Sequence, residues 1–454
     1  MSVHGLPRLN REVKAVEKAP VRIVHLGLGA FHRSHQAWYT QHAGDAGDWG
    51  IASFTGRRPD AANVLAAQDG LFTVVERSDA GDSFEVVGSI VEAIDGANIE
   101  RLIELVSAWQ TAVITLTITE AAYALGADDL PRLVAGEQPT TPLGRLVLGL
   151  AARRDADAGP LAVVSCDNLS DNGNVARAGV AEIALRFDAG LAAWIDHNVS
   201  IVSTSVDRIT PRTTADDVAL VSEQCGYRDE APVVTEPFHN WVLSGQFPSG
   251  RPRWEDAGAV FVDDIEPYEN RKLWLLNGAH SILAYAGQLR GHTTVAQALG
   301  DAVCREAVEE FWDEAAKHLS GEELGIPEYR AALLERFGNS RIAHHLAQIA
   351  TDGSTKLRMR ALPVLRAERA AGRSGVAAAR MIAVWSAYVA VNSELQDPQA
   401  SAIAAANGLS GGARVAALLG LLDPDLAAEP SMVELIQELS SGWATARAGT
   451  GTAA

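Results

Sequence analysis

A doubly wound α/β domain followed by a mainly helical domain is the architecture this sequence predicts. Three observations carry it. The apolar run Val21–Leu26 is followed at once by Gly27-Leu28-Gly29 and a helical stretch, the strand–turn–helix opening of a parallel sheet. β-rich runs and helical stretches then alternate as far as Val206. From about Pro267 to Ala444, alanine and leucine at helical spacing dominate, and no convincing strand remains. A chain of 454 residues is longer than one ordinary domain. The change of texture places the division at residues 1–264 and 265–454.

Each element follows from local pattern. Residues 1–19 are polar with Pro and Gly, and are expected to be a loosely ordered lead-in. The strands expected after Val21–Leu26 are Trp49–Thr55, Leu71–Glu76, Phe84–Val87, Ala112–Thr119, Leu161–Ser165 and Val199–Val206. Helices are expected at Asp60–Gln68, Ile99–Trp109, Thr141–Asp155 and Asn174–Phe187. The stretch Tyr227–Asp264, rich in Pro, Gly and Trp, is expected to be an irregular decoration of the first domain. Pro267 suits a first helical turn and Gly287 a C-terminal cap, which predicts one helix between them. The tail Gly442–Ala454 is small and polar and is expected to be disordered.

Composition narrows the class. With 38 basic and 57 acidic residues the formal charge is −19, which argues against nucleic acid or an anionic membrane as a partner. Every longer apolar stretch is broken by polar residues, and the N-terminus lacks the apolar core of an export signal. Three scattered cysteines, Cys166, Cys225 and Cys304, make neither a disulfide framework nor a spaced zinc site. The expectation is a soluble, cytoplasmic protein.

Two constellations carry chemistry. A strand ending in Gly27-Leu28-Gly29 and opening a helix through Ala30 and Phe31 suits a dinucleotide, because glycines let a pyrophosphate approach the backbone. The third small residue of the usual pattern is replaced by His32, and an ordinary strand–helix turn fits the same residues. The second strand ends at Thr55-Gly56-Arg57-Arg58, where an NAD site usually has an acid. Arg57 and Arg58 leave room for the 2′-phosphate of NADP, or are two solvated loop residues, so the cofactor stays open between NAD and NADP. In the helix after Pro267, about 100° per residue places Glu269 near 60°, His280 near 80° and Asn277 near 140° from Lys272. A lysine on a buried helix has its charged form disfavoured and becomes a general base near neutral pH. The alternative is a Glu269–Lys272 salt bridge on a half-exposed helix.

Taken in order, Gly27-Leu28-Gly29-Ala30-Phe31-His32-Arg33-Ser34-His35-Gln36, Ser165-Cys166-Asp167-Asn168, Val206-Asp207-Arg208-Ile209-Thr210-Pro211 and Lys272…Asn277…His280 closely resemble the mannitol dehydrogenase family of polyol-specific long-chain dehydrogenases and reductases, from about residue 20 to 440. The resemblance implies a Rossmann-type domain, a mainly helical domain, a site in the cleft between them, and no catalytic metal. It implies interconversion of a polyol and a ketose, mannitol and fructose leading, or reduction of fructuronate to mannonate, with NAD or NADP. Lys272 then corresponds to the general base, and Asn168 and Asn277 to the amides that steady the developing alkoxide. His280 corresponds to the residue that orients a substrate hydroxyl, and Asp207 to the acid that positions substrate and lysine. Glu269 corresponds to the carboxylate that passes the proton toward water, and Glu120 to a loop residue near the nicotinamide.

Lys356 matches a substrate-binding lysine. Gln348 stands where polyol dehydrogenases often carry arginine. With Arg358 and Arg360 following, this departure resembles the fructuronate reductase branch, where a cation would pair a sugar-acid carboxylate. A non-catalytic nucleotide-binding protein is the rival from another class, and it has no need for the base Lys272.

Overall fold

In the computed structural model the described residues are 5–123 and 129–444, and they form two compact units, Met1–Ile265 and Glu266–Ala454.

The first unit is built on an eight-stranded sheet. Its strands are β1 (Val21–Leu26), β2 (Gly50–Phe54), β5 (Ile90–Ile94), β6 (Val113–Leu116), β7 (Leu161–Ser165), β8 (Val199–Asp207), β10 (Asn240–Ser244) and β11 (Val260–Phe261). Their spatial order is β11-β10-β8-β7-β6-β1-β2-β5. The six strands from β5 to β8 run parallel, so the chain order along the sheet reverses between β1 and β6. Ligands of open α/β sheets bind outside the carboxyl ends of the strands at such a switch point. Apolar clusters cover both faces. One includes Leu102, Leu146 and Val180 from the helices Ile99–Ser107, Pro142–Asp155 and Asn172–Phe187. The other includes Trp38, Leu65, Trp241 and Trp254. Burial on both faces is why β1, β2, β6 and β7 are near-continuous apolar runs rather than alternating ones.

The stretch Tyr227–Asp264 is more regular than its Pro-, Gly- and Trp-rich composition suggests. It contributes β10, antiparallel to β8, and β11, while β9 (Val233–Thr235) joins β3 (Phe72–Ser78) and β4 (Gly81–Val87) in a second sheet. Of the lead-in, residues 1–4 lie outside the described residues, and the remainder is tied down at Leu9 and Arg11. Leu9 is fully buried, and the Arg11 guanidinium donates to the carbonyls of Asp69, Val16, Glu17, Gly88 and Ile90. Polarity there marks an anchoring arginine rather than loose chain.

The second unit has no strand among its described residues. The helix Val376–Val391 is buried almost all round, as a central helix must be, and the helices Ala279–Leu289 and Pro430–Ala444 pack on it. Glu314 caps its start by accepting from the N–H groups of Ala377 (3.0 Å) and Ala378 (2.9 Å). Residues 442–444, expected in a disordered tail, lie within the helix Pro430–Ala444, and the rest of that tail, residues 445–454, lies outside the described residues. The helix expected to stop at Gly287 runs on to Leu289. A Cβ at Gly287 would stand 2.7 Å from the side chains of both Ala298 and Leu346, so this glycine serves close packing and not a cap. Gly291, at φ +88°, makes the turn instead.

Candidate active site

The glycine turn stands on a directed chain of hydrogen bonds. Gly27 has φ +112°, and a Cβ there would lie 2.0 Å from the carbonyl oxygen of Thr117. The N–H groups of Gly27 and Leu28 both donate to Phe54 O at 2.9 Å. The Thr117 hydroxyl donates to Gly27 O (2.8 Å), so it must accept from His25 Nε2 (3.0 Å), and His25 Nδ1 then accepts from the Thr115 hydroxyl (2.7 Å). His32, which replaces the third small residue, stacks on His25 with ring centres 3.3 Å apart. Its Nε2 meets Ser53 Oγ at 2.9 Å. Both rings are fully buried. Burial pushes His25 down to about 3 and His32 well below the usual range, His25 and Arg33 adding to the latter. Two neutral imidazoles thus form the floor under the turn.

Beside the turn, Leu26, Gly27, Phe54, Thr55, Gly56, Gly96, Leu102, Pro142 and Arg145 line a small cavity at the carboxyl ends of β1 and β2. Arg57 is exposed, and Arg58 pairs loosely with Asp60 at 3.8 Å. Arg145 is a cation the sequence reading missed. Its Nη1 donates to Gly56 O at 3.0 Å, while its Nε is buried without a partner. No spacing rule marks it, because it comes from the helix Pro142–Asp155, remote in sequence from the turn.

At the ends of β6, β7 and β8 a second missed residue does the organising. Asp167 accepts from the N–H groups of Ile118 (2.9 Å) and Thr119 (2.8 Å) and from the Tyr123 hydroxyl (2.7 Å). Burial and then the Asp167 charge push the Tyr123 phenol up, which keeps it a donor. This carboxylate holds Thr119 at φ +73° and so fixes the loop that carries Glu120, an exposed residue opening a short 3₁₀ turn. Asn168 follows Asp167 directly and is exposed. The Asn172 side chain stitches this corner to β8 through Asp167 O (2.9 Å) and Thr204 O (2.7 Å). Asp207, buried, ends β8 opposite Asn240. Arg208 bonds Ser34 O (2.6 Å), Glu236 O (3.1 Å) and the Glu76 carboxylate.

In the second unit the helix after Pro267 is not one α-helix. An α segment Glu266–Arg271 passes into a π segment, Lys272–Gly278, before α geometry resumes at Ala279. The angles expected from 100° per residue therefore change. With roughly 4.4 residues per π turn, Asn277 moves from about 140° to roughly 50° from Lys272, and His280 to roughly −30°. Glu269, upstream of the π segment, keeps about 60°. The four residues share one face more closely than a regular helix permits. Lys272, Glu269 and Asn277 are half-buried and His280 is buried.

His280 Nε2 has no hydrogen-bond partner, and its ring lies 4.8 Å from those of Phe337 and His344. Burial holds it well below the usual histidine range, and His344, Arg336, Arg360 and Lys356 all push the same way. Lys356 folds back on its own loop, its Nζ 3.0 Å from Ile349 O, and burial followed by Arg360 lowers its pKa. Arg360 donates from Nη1 to Asn277 O (3.1 Å) and Ser281 Oγ (3.0 Å). Gln348 is exposed on the short helix Leu346–Ile349.

A parallel sheet in this order, with a glycine turn at the switch point, defines a Rossmann-type domain, here followed by a helical one. The mannitol dehydrogenase Rossmann domain matches residues 21–256, and the mannitol dehydrogenase C-terminal domain matches 264–441. The chain belongs to the mannitol dehydrogenase family and is an oxidoreductase. A D-mannonate oxidoreductase of Escherichia coli K12 is 38% identical over 428 residues, covering 88% of this chain and 88% of that one. A mannitol 2-dehydrogenase of Cereibacter sphaeroides is 36% identical over 387 residues, 81% of this chain and 80% of its own. The ternary complex of Pseudomonas fluorescens mannitol 2-dehydrogenase with NAD and D-mannitol has a TM-score of 0.78 at 30% identity, covering 97% of this chain and 99% of that one.

Proposed function

We propose that this oxidoreductase interconverts a polyol and a ketose by metal-independent hydride transfer, mannitol and fructose being the leading pair, with NAD or NADP as cofactor. The observation that carries the reading is the π segment, which gathers Lys272, Asn277 and His280 on one face of a largely buried helix.

The cofactor fits the residues present. The turn at Gly27 lies at the switch point of the sheet, where dinucleotides bind in such folds, beside a small cavity lined by Gly56, Gly96 and Arg145. Gly27, Leu28, Gly29, Ala30 and Phe31 would hold the pyrophosphate, with Arg57 and Arg145 toward the ribose and Glu120 toward the nicotinamide. The bound nicotinamide supplies the hydride acceptor. Lys272 Nζ takes the proton of the substrate hydroxyl, and Glu269 relays it toward water. The Asn168 and Asn277 amides donate to the oxygen as it gains charge. Neutral His280 has an open Nε2 for a second hydroxyl, and Asp207 orients substrate and lysine. Lys356 and Gln348 bind the far end of the substrate.

A second reading, reduction of fructuronate to mannonate, is favoured by one observation. Besides burial and His344, the cations Arg336, Arg360 and Lys356 act on His280. Such a neighbourhood suits a carboxylate. The test measures reduced-nicotinamide absorbance with EDTA present. Its panel is mannitol, arabinitol, sorbitol, mannonate, fructose and fructuronate, each with NAD(H) and NADP(H). Turnover of mannitol supports the leading reading, and mannonate without mannitol selects the second. Silence on all six, or a Lys272→Ala variant with wild-type turnover at neutral pH, refutes the assignment.

A further inference from the structure

We propose that Trp312 and Arg360 are positioning residues that hold the Lys272–Gly278 segment in its π form, and that through it they set the mutual placement of Lys272, Asn277 and His280. The inference rests on the function proposed above only for the chemistry of those three side chains.

A π segment inside an α-helix has a carbonyl problem. Where the i→i+5 ladder returns to i→i+4, one carbonyl is skipped by the N–H groups of both, and when buried it needs another donor. Two side chains on neighbouring helices supply donors at this segment. Trp312, on the helix Ala302–Ala315, donates from Nε1 to Leu275 O at 2.7 Å. Arg360, at the end of the helix Gly353–Arg360, donates from Nη1 to Asn277 O at 3.1 Å and to Ser281 Oγ at 3.0 Å. Trp312 and Ser281 are fully buried. Gly278, the last residue of the segment, lets the helices approach: a Cβ there would stand 2.5 Å from Phe311 Cε1. Trp312 is sealed from solvent, so its effect on a reaction runs through Leu275 O and packing alone. Arg360 spends Nη1 on the backbone of the residue whose side chain the reaction uses.

The test uses full-length Trp312→Phe, which keeps a ring and deletes the N–H, together with Arg360→Gln and Arg360→Lys. Hydrogen–deuterium exchange over residues 272–281 is measured without substrate, and steady-state kinetics follow with both mannitol and mannonate. The expected result is exchange on the order of tenfold faster in that segment for Trp312→Phe and Arg360→Gln. Arg360→Lys, with a donor retained, recovers part of the protection. A kcat lower by about tenfold or more on every accepted substrate is expected, with unchanged KM for the cofactor and a displaced pH profile of kcat. Unchanged exchange over 272–281 in both Trp312→Phe and Arg360→Gln overturns the proposal. For Arg360, so does an effect confined to the KM for the sugar acid. A wild-type protein silent on every substrate refutes the proposed function, and the exchange measurement then decides this inference by itself. Should Arg360→Gln fail to fold, Arg360→Lys and Trp312→Phe carry the same two outcomes.

Discussion

Acidification should destabilise the first unit well before its carboxylates titrate, and the buried histidines set the size of the effect. His25, His32 and His35 are fully buried. Burial, the largest cause in each case, brings His25 and His35 to about 3 and His32 well below its ordinary range. The unfolded chain, with histidines near 6.5, binds more protons than the folded one below that pH, so stability is fully present above it and declines as pH falls. At pH 5.5 each ring that stays neutral when folded costs about 1.4 kcal/mol, and three cost about 4 kcal/mol. His42 works in the opposite sense: burial opposes its charge, but its bonds to Glu85 and Trp38 O, with the Glu85 and Glu76 charges, together outweigh burial and raise its pKa. For a unit of this size, 4 kcal/mol corresponds to a Tm lower by roughly 8–16 °C. Calorimetry at pH 7.5 and 5.5, in buffers of different ionisation heat, measures both the Tm and the protons taken up on unfolding, about three in this account. His25→Gln should remove one of those protons. A Tm constant within about 2 °C, or uptake of less than one proton, would refute the reasoning.

Three further outcomes are expected. Asp167→Asn leaves one oxygen where two accept three donors and turns an NH₂ toward an N–H, costing about 2–5 kcal/mol; the Tm should fall by roughly 4–20 °C, and kcat with it if Asn168 acts as proposed. Gly27→Ala sets a Cβ against Thr117 O at a left-handed φ, so thermal stability should drop by about 2–6 kcal/mol, and titration of intrinsic fluorescence with NADH should show weakened binding. Cys166 and Cys304 are buried, with burial the main cause raising both thiols, Cys304 to about 12, whereas Cys225 is only half-buried; Ellman's reagent should therefore titrate one thiol quickly in the native protein and three after denaturation.

How much of this was legible in the sequence depends on the range over which each feature is encoded. The parallel core was legible because β1, β2, β6 and β7 are apolar runs bounded by turn residues, a strictly local signal. The expected strand Leu161–Ser165 coincides with β7. Strand β5 escaped because Glu92 interrupts its apolar pattern at the sheet edge, where Arg101 pairs with it at 2.8 Å. Polar anchors were illegible for a different reason. Arg11, Arg145 and Asp167 act on backbone groups brought near by folding, as when Arg11 donates to Ile90 O across 79 positions of sequence. The helix proposed to carry the general base lies between these cases. Its residues were singled out by order and type, but the 100° rule put Asn277 on the wrong side of it. The π segment is stabilised by Trp312 and Arg360, and neither belongs to the local sequence that the rule examines.

The π segment also gives this helix an unusual response to a change of length. It accommodates about one residue more than an α-helix of the same rise, and the surplus leaves the two α segments in step. Removing one residue among Leu273–Leu276 and restoring α geometry would turn everything from Ala279 onward by only about 10°. The buried stripe through Ile282 and Tyr285 would keep its direction, and His280 with it. Elsewhere in a buried helix, loss of one residue turns all that follows by about 100°. Here a regular-looking stretch of sequence carries one residue that the register of its neighbours does not need.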